Sequence, residues 1–274
     1  MSKKIGLFLV STLLMSSAAL ASEIIVSGST SEARLMDVLA ERYNAHHAEP
    51  YIAVQGIGST AGITLVQKDI ANVGMSSRYL TEKEDNPDLS VNVIAYDGLA
   101  IVVNNANPVN SISREQLYDV YKGKITNWKQ LGGIDQKIAV VTRESSSGSR
   151  YSFETLLGLT KIVNNRLVSD INRDNLVVNS NSMVKTLVNH NKQAIGFISM
   201  GSVDSSIKAI QFDGSYATEK TILQGKYGLS RPFLILYKEQ KIDEQTKDFI
   251  QYLFSNEAKK LITEYGYVPA AKNH

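Results

Sequence analysis

The chain has 274 residues, no cysteine and a formal net charge of +2 at pH 7, with 29 Lys and Arg against 27 Asp and Glu. A near-balanced charge without a basic tract or an aromatic-basic stripe argues against a nucleic-acid partner, and zero cysteine excludes disulfides, thiolate chemistry and a lipid-modified cysteine tether. The length suits one large domain or two ordinary ones, and such a chain buries roughly 75% of its unfolded surface, so a core without staples can hold it.

The first residues read as a secretory signal: a basic Lys3-Lys4, an apolar Ile5 to Leu14 and a small-x-small Ala19-Leu20-Ala21. The apolar run falls short of the ~20 residues that span a bilayer, and nothing later approaches them. The expectation is a signal peptide over residues 1–21 and a mature chain from Ser22 that is exported, not embedded in a membrane. With no cysteine to lipidate, it is expected in the periplasm.

Ile24-Ile25-Val26 then reads as a strand and Gly28-Ser29-Thr30-Ser31 as a turn. Glu32 opens a helix with Leu35, Val38, Leu39 and Tyr43 at helical spacing. Thr30 or Ser31 is the expected N-cap, and Glu32 suits the first turn. The pattern recurs with the strand-like Tyr51 to Val54, the small-residue turn Gly56-Ile57-Gly58-Ser59-Thr60-Ala61-Gly62 and a helix face of Ile63, Val66 and Ile70. These glycines do not fit the dinucleotide spacing, and no phosphate-loop lysine follows. A third apolar stretch ends in Ser76-Ser77-Arg78.

Ser90 to Asn104 is β-rich and interrupted by Asp97-Gly98, where a strand glycine marks a bend or a close backbone approach, so a domain crossing is placed there. Ser113 to Tyr121 reads as a short helix and Trp128 as a packing residue. Ile138 to Val141, the polar turn at Arg143-Glu144-Ser145-Ser146-Ser147-Gly148-Ser149-Arg150, and the run from Tyr151 form a further strand, turn and helix. Here unpaired helix N–H groups, serine hydroxyls, a permissive glycine and arginine forks coincide, the donor set that a tetrahedral oxyanion needs. Asn179-Ser180-Asn181-Ser182 opens another helix, Ala194 to Ser199 is a strand, and Tyr227 to Tyr237 reads as the return crossing. Helices from Gln245 and Glu257 close the chain. Strands and helices alternate, which argues for α/β layers.

One hydroxyl-rich turn before a helix is an ordinary connection. Several, around Thr30, Ser59, Ser77 and Ser147, would lie together at the carboxyl ends of strands in an open sheet and could satisfy one small anion without a metal or cofactor. Enzyme signals are poor. There is no cysteine nucleophile and no G-x-S-x-G elbow, and His46, His47, His190 and His274 lack metal-ligand spacing. The acidic Glu82 to Asp85 reads as a solvated loop.

With these motifs in place the chain resembles the periplasmic phosphate-binding proteins that deliver phosphate to an ABC importer, over nearly its whole mature length. The matching stretches are Gly28-Ser29-Thr30-Ser31, Gln55-Gly56-Ile57-Gly58-Ser59, Gly74-Met75-Ser76-Ser77-Arg78, Arg143-x-x-x-Ser147-Gly148-Ser149, Ala194-Ile195-Gly196-Phe197 and Leu229-Ser230-Arg231-Pro232. The resemblance implies a two-lobed type 2 periplasmic-binding-protein fold, each lobe a sheet flanked by helices and joined by two hinge strands. Residues 22–98 and 229–274 would form one lobe and 99–228 the other. It implies a monomeric clamp for inorganic phosphate, partnered by an importer permease and without catalysis. Thr30 and Ser31 would bind through hydroxyl and N–H groups, Ser59 through its hydroxyl, Arg143 through its fork, and Ser147, Gly148 and Ser149 from the helix start. Ser77 falls where many relatives carry an aspartate that accepts the proton of bound phosphate and so helps reject sulfate. Asp97, beside the crossing, is the candidate acceptor in its place, with a turn-capping role as the alternative. Rival readings are another oxyanion such as sulfate or molybdate, a secreted phosphatase, and an adhesion or scaffold module.

Overall fold

The computed structural model describes residues 23–47 and 49–271. The expected signal peptide and His274 lie outside them. Glu23–Gly28 (β1) leads into Thr30–Asn44 (α1), Tyr51–Gly56 (β2) into Ser59–Gln67 (α2), and Val73–Ser76 (β3) precedes the long strand Leu89–Val103 (β4). The chain continues through Ser111–Ile112 (β5), Arg114–Lys122 (α3), Ala139–Arg143 (β6), Gly148–Leu157 (α4), the hairpin Thr160–Val163 (β7) and Arg166–Ser169 (β8), Leu176–Val178 (β9), Asn181–His190 (α5), Ala194–Ser199 (β10), Lys208–Phe212 (β11) and Glu219–Leu223 (α6). Ser230–Lys238 (β12), Glu244–Leu253 (α7), Asn256–Glu264 (α8) and Val268–Pro269 (β13) complete it.

The main sheet runs β2-β1-β3-β12-β4-β10-β6-β9. β1 pairs in parallel with both β2 and β3, and β6 in parallel with both β10 and β9. Between these parallel ends, β12 joins β3 to β4 by antiparallel pairing. β4 changes partners along its length. Leu89 to Gly98 pair with β12, whereas Leu99 to Val103 pair with β10. The bend expected at Gly98 is a close approach: a Cβ there would meet Ala217 and Ile222 at 3.1 Å.

The helices form where apolar residues repeat at helical spacing. α1 buries Leu35, Met36, Leu39, Ala40 and Tyr43, and full burial of one such large apolar side chain contributes roughly 1.5–3 kcal/mol. Tyr43 closes the far end of α1 edge-to-face on Phe249, with ring centroids 5.2 Å apart. In a second core Phe153 of α4 stacks on Phe197 of β10 at 4.0 Å, and Tyr121 and Trp128 join them. Trp128 is a packing residue, as expected, with its indole N–H donated to the Gln193 carbonyl at 2.9 Å. These contacts hold α1 and α4 against the core, and the N-terminal residues Ser31 and Ser149 of the two helices meet at 2.7 Å.

Among the described residues no helix is long and apolar enough to cross a membrane.

Candidate oxyanion site

Each wall of the site begins with a helix N-terminus. The cap of α1 is Ser29, one residue earlier than expected, and its Oγ accepts from the Glu32 N–H at 3.2 Å. Thr30 and Ser31 therefore occupy the first helical turn, where backbone N–H groups have no intrahelical partner. The preceding Gly28 is required: its φ is +146°, and a Cβ would lie 2.8 Å from the Met75 nitrogen and closer still to the Met75 carbonyl. α2 starts at Ser59 behind Gly58, which has φ +99° and offers no side-chain cap. α4 starts at Gly148 behind Ser147, whose Oγ accepts from the Arg150 N–H at 3.3 Å. Gly148 and Ser149 thus present the same kind of unpaired N–H groups as Thr30 and Ser31.

The structure brings the expected residues together. Ser31 Oγ and Ser149 Oγ are 2.7 Å apart, and Ser59 Oγ accepts from the Ser77 N–H at 3.1 Å. Ser59, Ser77 and Ser147 are buried beside them. The Gly148 backbone approaches so closely that a Cβ there would sit 2.6 Å from Ser77 Oγ and nearer to Ser59 Oγ. The Thr60 N–H donates to the Ser146 carbonyl at 3.3 Å, and Ser152 Oγ donates to the Ser77 carbonyl at 3.1 Å. The walls are in contact, so this is a closed conformation.

Arg143 is fully buried. Its Nε and Nη2 grip the Glu144 carboxylate at 2.9 and 3.0 Å, and Nη2 also donates to Thr30 Oγ1 at 2.9 Å and to the Asn179 carbonyl at 3.0 Å. Nη1 makes a longer bond, 3.3 Å, to Asn181 Oδ1. Burial pushes the Arg143 pKa down, Glu144 holds it up, and the nearby charge of Arg231 opposes Glu144; a guanidinium stays charged regardless. Asn181 begins α5 and also donates to Ser31 Oγ at 3.2 Å. Its only sequence signal was its place in a polar turn ahead of a helix.

Asp97 is placed differently from a ligand-facing acceptor. Its Oδ2 accepts from Arg231 Nε and Nη2 at 2.9 and 2.8 Å, and its Oδ1 accepts from Ser199 Oγ at 2.9 Å and the Met200 N–H at 3.1 Å. Burial raises its pKa, while Arg231 and the hydrogen bonds from Ser199 and Met200 oppose the rise. The donors from Arg231, Ser199 and Met200 favour its charged form against that burial. The ion pair spans the crossing itself, because Arg231 of β12 lies opposite Asp97 of β4. Arg231 Nη1 then reaches Ser149 Oγ at 2.7 Å. The sequence marks Arg231 only as part of a family-like return strand, and its pairing with Asp97 emerges from the sheet register.

The other arginines serve the frame. Arg78 forks onto Glu84 at 2.7 and 2.6 Å, with its guanidinium 4.9 Å from the centre of the Tyr151 ring. Glu84 is therefore a structural partner, not the solvated loop acid expected. Arg150 donates to Glu154 at 2.7 Å and to the Arg143 carbonyl at 3.0 Å, so it ties α4 to the end of β6. His47 stacks on Tyr43 at 4.0 Å, away from the site. No cluster of His, Cys, Asp or Glu suited to a metal occurs among the described residues.

This geometry meets its counterpart in known proteins. A model of the PBP superfamily domain matches residues 15–257. The phosphate-binding protein PstS of Borreliella burgdorferi is 31% identical over 247 residues, covering 89% of this chain and 88% of its own. The chain belongs to the PstS family of the PBP superfamily. Solved structures agree with that membership. An ABC-type phosphate transport receptor from Vibrio cholerae is 64% identical, with a TM-score of 0.76 and coverage of 91% of this chain and all of its own. A substrate-binding protein assigned to phosphate ABC transport in Clostridium perfringens, solved with bound phosphate, is 35% identical and has a TM-score of 0.86 over 91% of this chain.

Proposed function

We propose that the chain captures inorganic phosphate by closing its two lobes and delivers it to an ABC importer. The observation that carries this reading is the meeting of three helix N-termini beside a buried guanidinium: Ser31 of α1 lies 2.7 Å from Ser149 of α4, Gly148 packs on Ser59 of α2, and Arg143 donates to Thr30. Thr30, Ser31, Ser59, Ser147, Gly148 and Ser149 supply hydroxyl and backbone donors, Ser77 supports Ser59, and Arg143 supplies the charge. Asp97 takes a positioning role: it orients Arg231, which holds Ser149. Residues 22–98 with 229–274 form one lobe and 99–228 the other. Groups from both lobes bind one anion, so the ligand favours the closed form by its differential affinity.

The chain acts as a monomeric, exported periplasmic receptor with an importer permease as its partner, and it performs no chemistry on the ligand. Calorimetric titration with phosphate tests the reading directly. A micromolar Kd, about 8 kcal/mol, is expected, with sulfate competing weakly. Tighter binding of sulfate or molybdate would transfer the site to another oxyanion. Turnover of a phosphomonoester with added zinc or magnesium would overturn the non-enzymatic assignment.

Gly148→Ala probes closure. Alanine is a good helix residue at this position, but its Cβ would collide with Ser59 and Ser77 across the cleft. The variant is expected to fold normally, to bind phosphate at least ~10-fold more weakly, about 1.4 kcal/mol, and to stay extended in small-angle scattering when phosphate is added. Unchanged affinity with normal compaction would mean that these walls do not meet in the bound state.

A further inference from the structure

Behind the cradle lies a carboxyl group that the binding scheme leaves unused. Glu32, in the first turn of α1, is fully buried, and neither of its oxygens makes a hydrogen bond of full geometry; the Ser76 backbone is the one donor that comes near it. It follows directly on Thr30 and Ser31, and its charge would be felt by Arg231, the arginine that carries Ser149. The charge set against it is Arg231 on β12, and Arg231 in turn faces Asp97 on β4, Arg143 on β6 and Tyr267 on β13.

The local charge decides what Glu32 can do. Arg231 is neutralised by Asp97, and Arg143 by Glu144. If Glu32 ionises, two carboxylates share Arg231 and an uncompensated negative charge stands behind a site that must admit an anion. If it holds its proton, the wall is neutral. Like charges in a dry site raise one another's proton affinity. We propose that Glu32 is a proton-holding residue of the anion site, neutral when phosphate is bound and weakening the site when it ionises.

Phosphate capture is then proton-linked: the bound anion favours the protonated acid, and binding draws in a proton wherever Glu32 was ionised beforehand. This role deepens the phosphate reading and rests on it. It differs from acceptance of the ligand's own proton, because the proton here stays on the protein. Burial moves the Glu32 pKa well above its ordinary value, with the Arg231 charge and the Ser76 backbone pulling weakly the other way.

The experiment compares the wild-type chain with Glu32→Gln, which keeps the shape and removes the titration. Phosphate is titrated calorimetrically at about pH 6 and about pH 9. Phosphate's own second ionisation affects both proteins equally, so it cancels in the comparison. The ratio of Kd at high pH to Kd at low pH is expected to be about 10-fold smaller in Glu32→Gln, and buffers of different ionisation enthalpy should show less proton uptake in the variant. Equal ratios and equal proton uptake in the two proteins would overturn the proposal, as would a variant that folds but binds no phosphate at either pH.

Denaturation without phosphate supplies a separate reading. A group whose folded pKa is raised binds more protons in the native state, so stability falls as pH climbs above the ordinary value of 4.5 and levels off beyond the folded pKa. Glu32→Gln should abolish that fall, and parallel profiles for the two proteins would overturn the proposal. If the wild-type chain binds no phosphate at all, the ligand assignment fails and proton-linked capture fails with it. The denaturation profile still reports on the neutrality of Glu32, so the two failures are distinguishable.

Discussion

Arg143→Ala is expected to weaken phosphate binding at least ~100-fold, about 2.8 kcal/mol, as measured by calorimetry. The guanidinium is fully buried and bound to the Glu144 carboxylate, Thr30, Asn179 and Asn181, so its removal takes away the main positive charge of the cradle and several fixed donors together. It also leaves Glu144 without its partner, and that freed negative charge would oppose the incoming anion. Arg143→Lys should fall between the alanine variant and the wild type, because an ammonium keeps the charge but cannot reproduce the fork. A loss below about tenfold for the alanine variant would remove Arg143 from the site, since a charge-assisted fork in a dehydrated pocket is worth more than that.

Asp97→Asn is expected to destabilise the fold by roughly 3–5 kcal/mol, the usual cost of breaking a buried ion pair from one side. Arg231 and Asp97 are almost completely buried, and the amide would face a guanidinium that needs an acceptor. Urea denaturation measures the loss. Phosphate affinity should fall as well, because Arg231 would no longer be held against Ser149. Arg231→Met, alone and combined with Asp97→Asn, completes the cycle: the double variant should lose less than the sum of the single ones. Strict additivity would mean that the two side chains are not coupled and that Asp97 does not position Arg231.

Much of this site could be read from residue types alone. The serines, threonine, glycine and Arg143 fall in turns between a strand and a helix, and that local signal survives whatever the tertiary arrangement is. The α/β class and the approximate helices were visible for the same reason, since Leu35, Leu39 and Tyr43 repeat at a spacing set by the helix itself. The cap of α1 was misplaced by one residue because Ser29, Thr30 and Ser31 are all competent caps, and only the pairing of the Ser29 N–H with the Met75 carbonyl chooses among them. The partners of Asp97, Arg78 and Arg150 could not be read. Asp97 and Arg231 lie 134 positions apart and meet only through antiparallel register. Glu32 looked like an ordinary first-turn acid, and its isolation depends on what β3 and β12 place over it.

The sheet order also dictates how the molecule can be assembled. β12, made late in the chain, is inserted between β3 and β4, which are made early. The proposed second lobe, residues 99–228, holds β5 to β11 and lacks only the shared β4, so it can condense while the rest of the chain is still arriving. The first lobe cannot. Until Ser230–Lys238 arrives, β3 and the first part of β4 present unpaired edges, the surface by which unfinished sheets associate with other chains. A chain released from its N-terminus would then keep these two strands open-edged until β12 follows. The strand that fills this gap carries Arg231, so the join of β3 to β4 and one arm of the cradle arrive together, before β13 adds to the β4 edge.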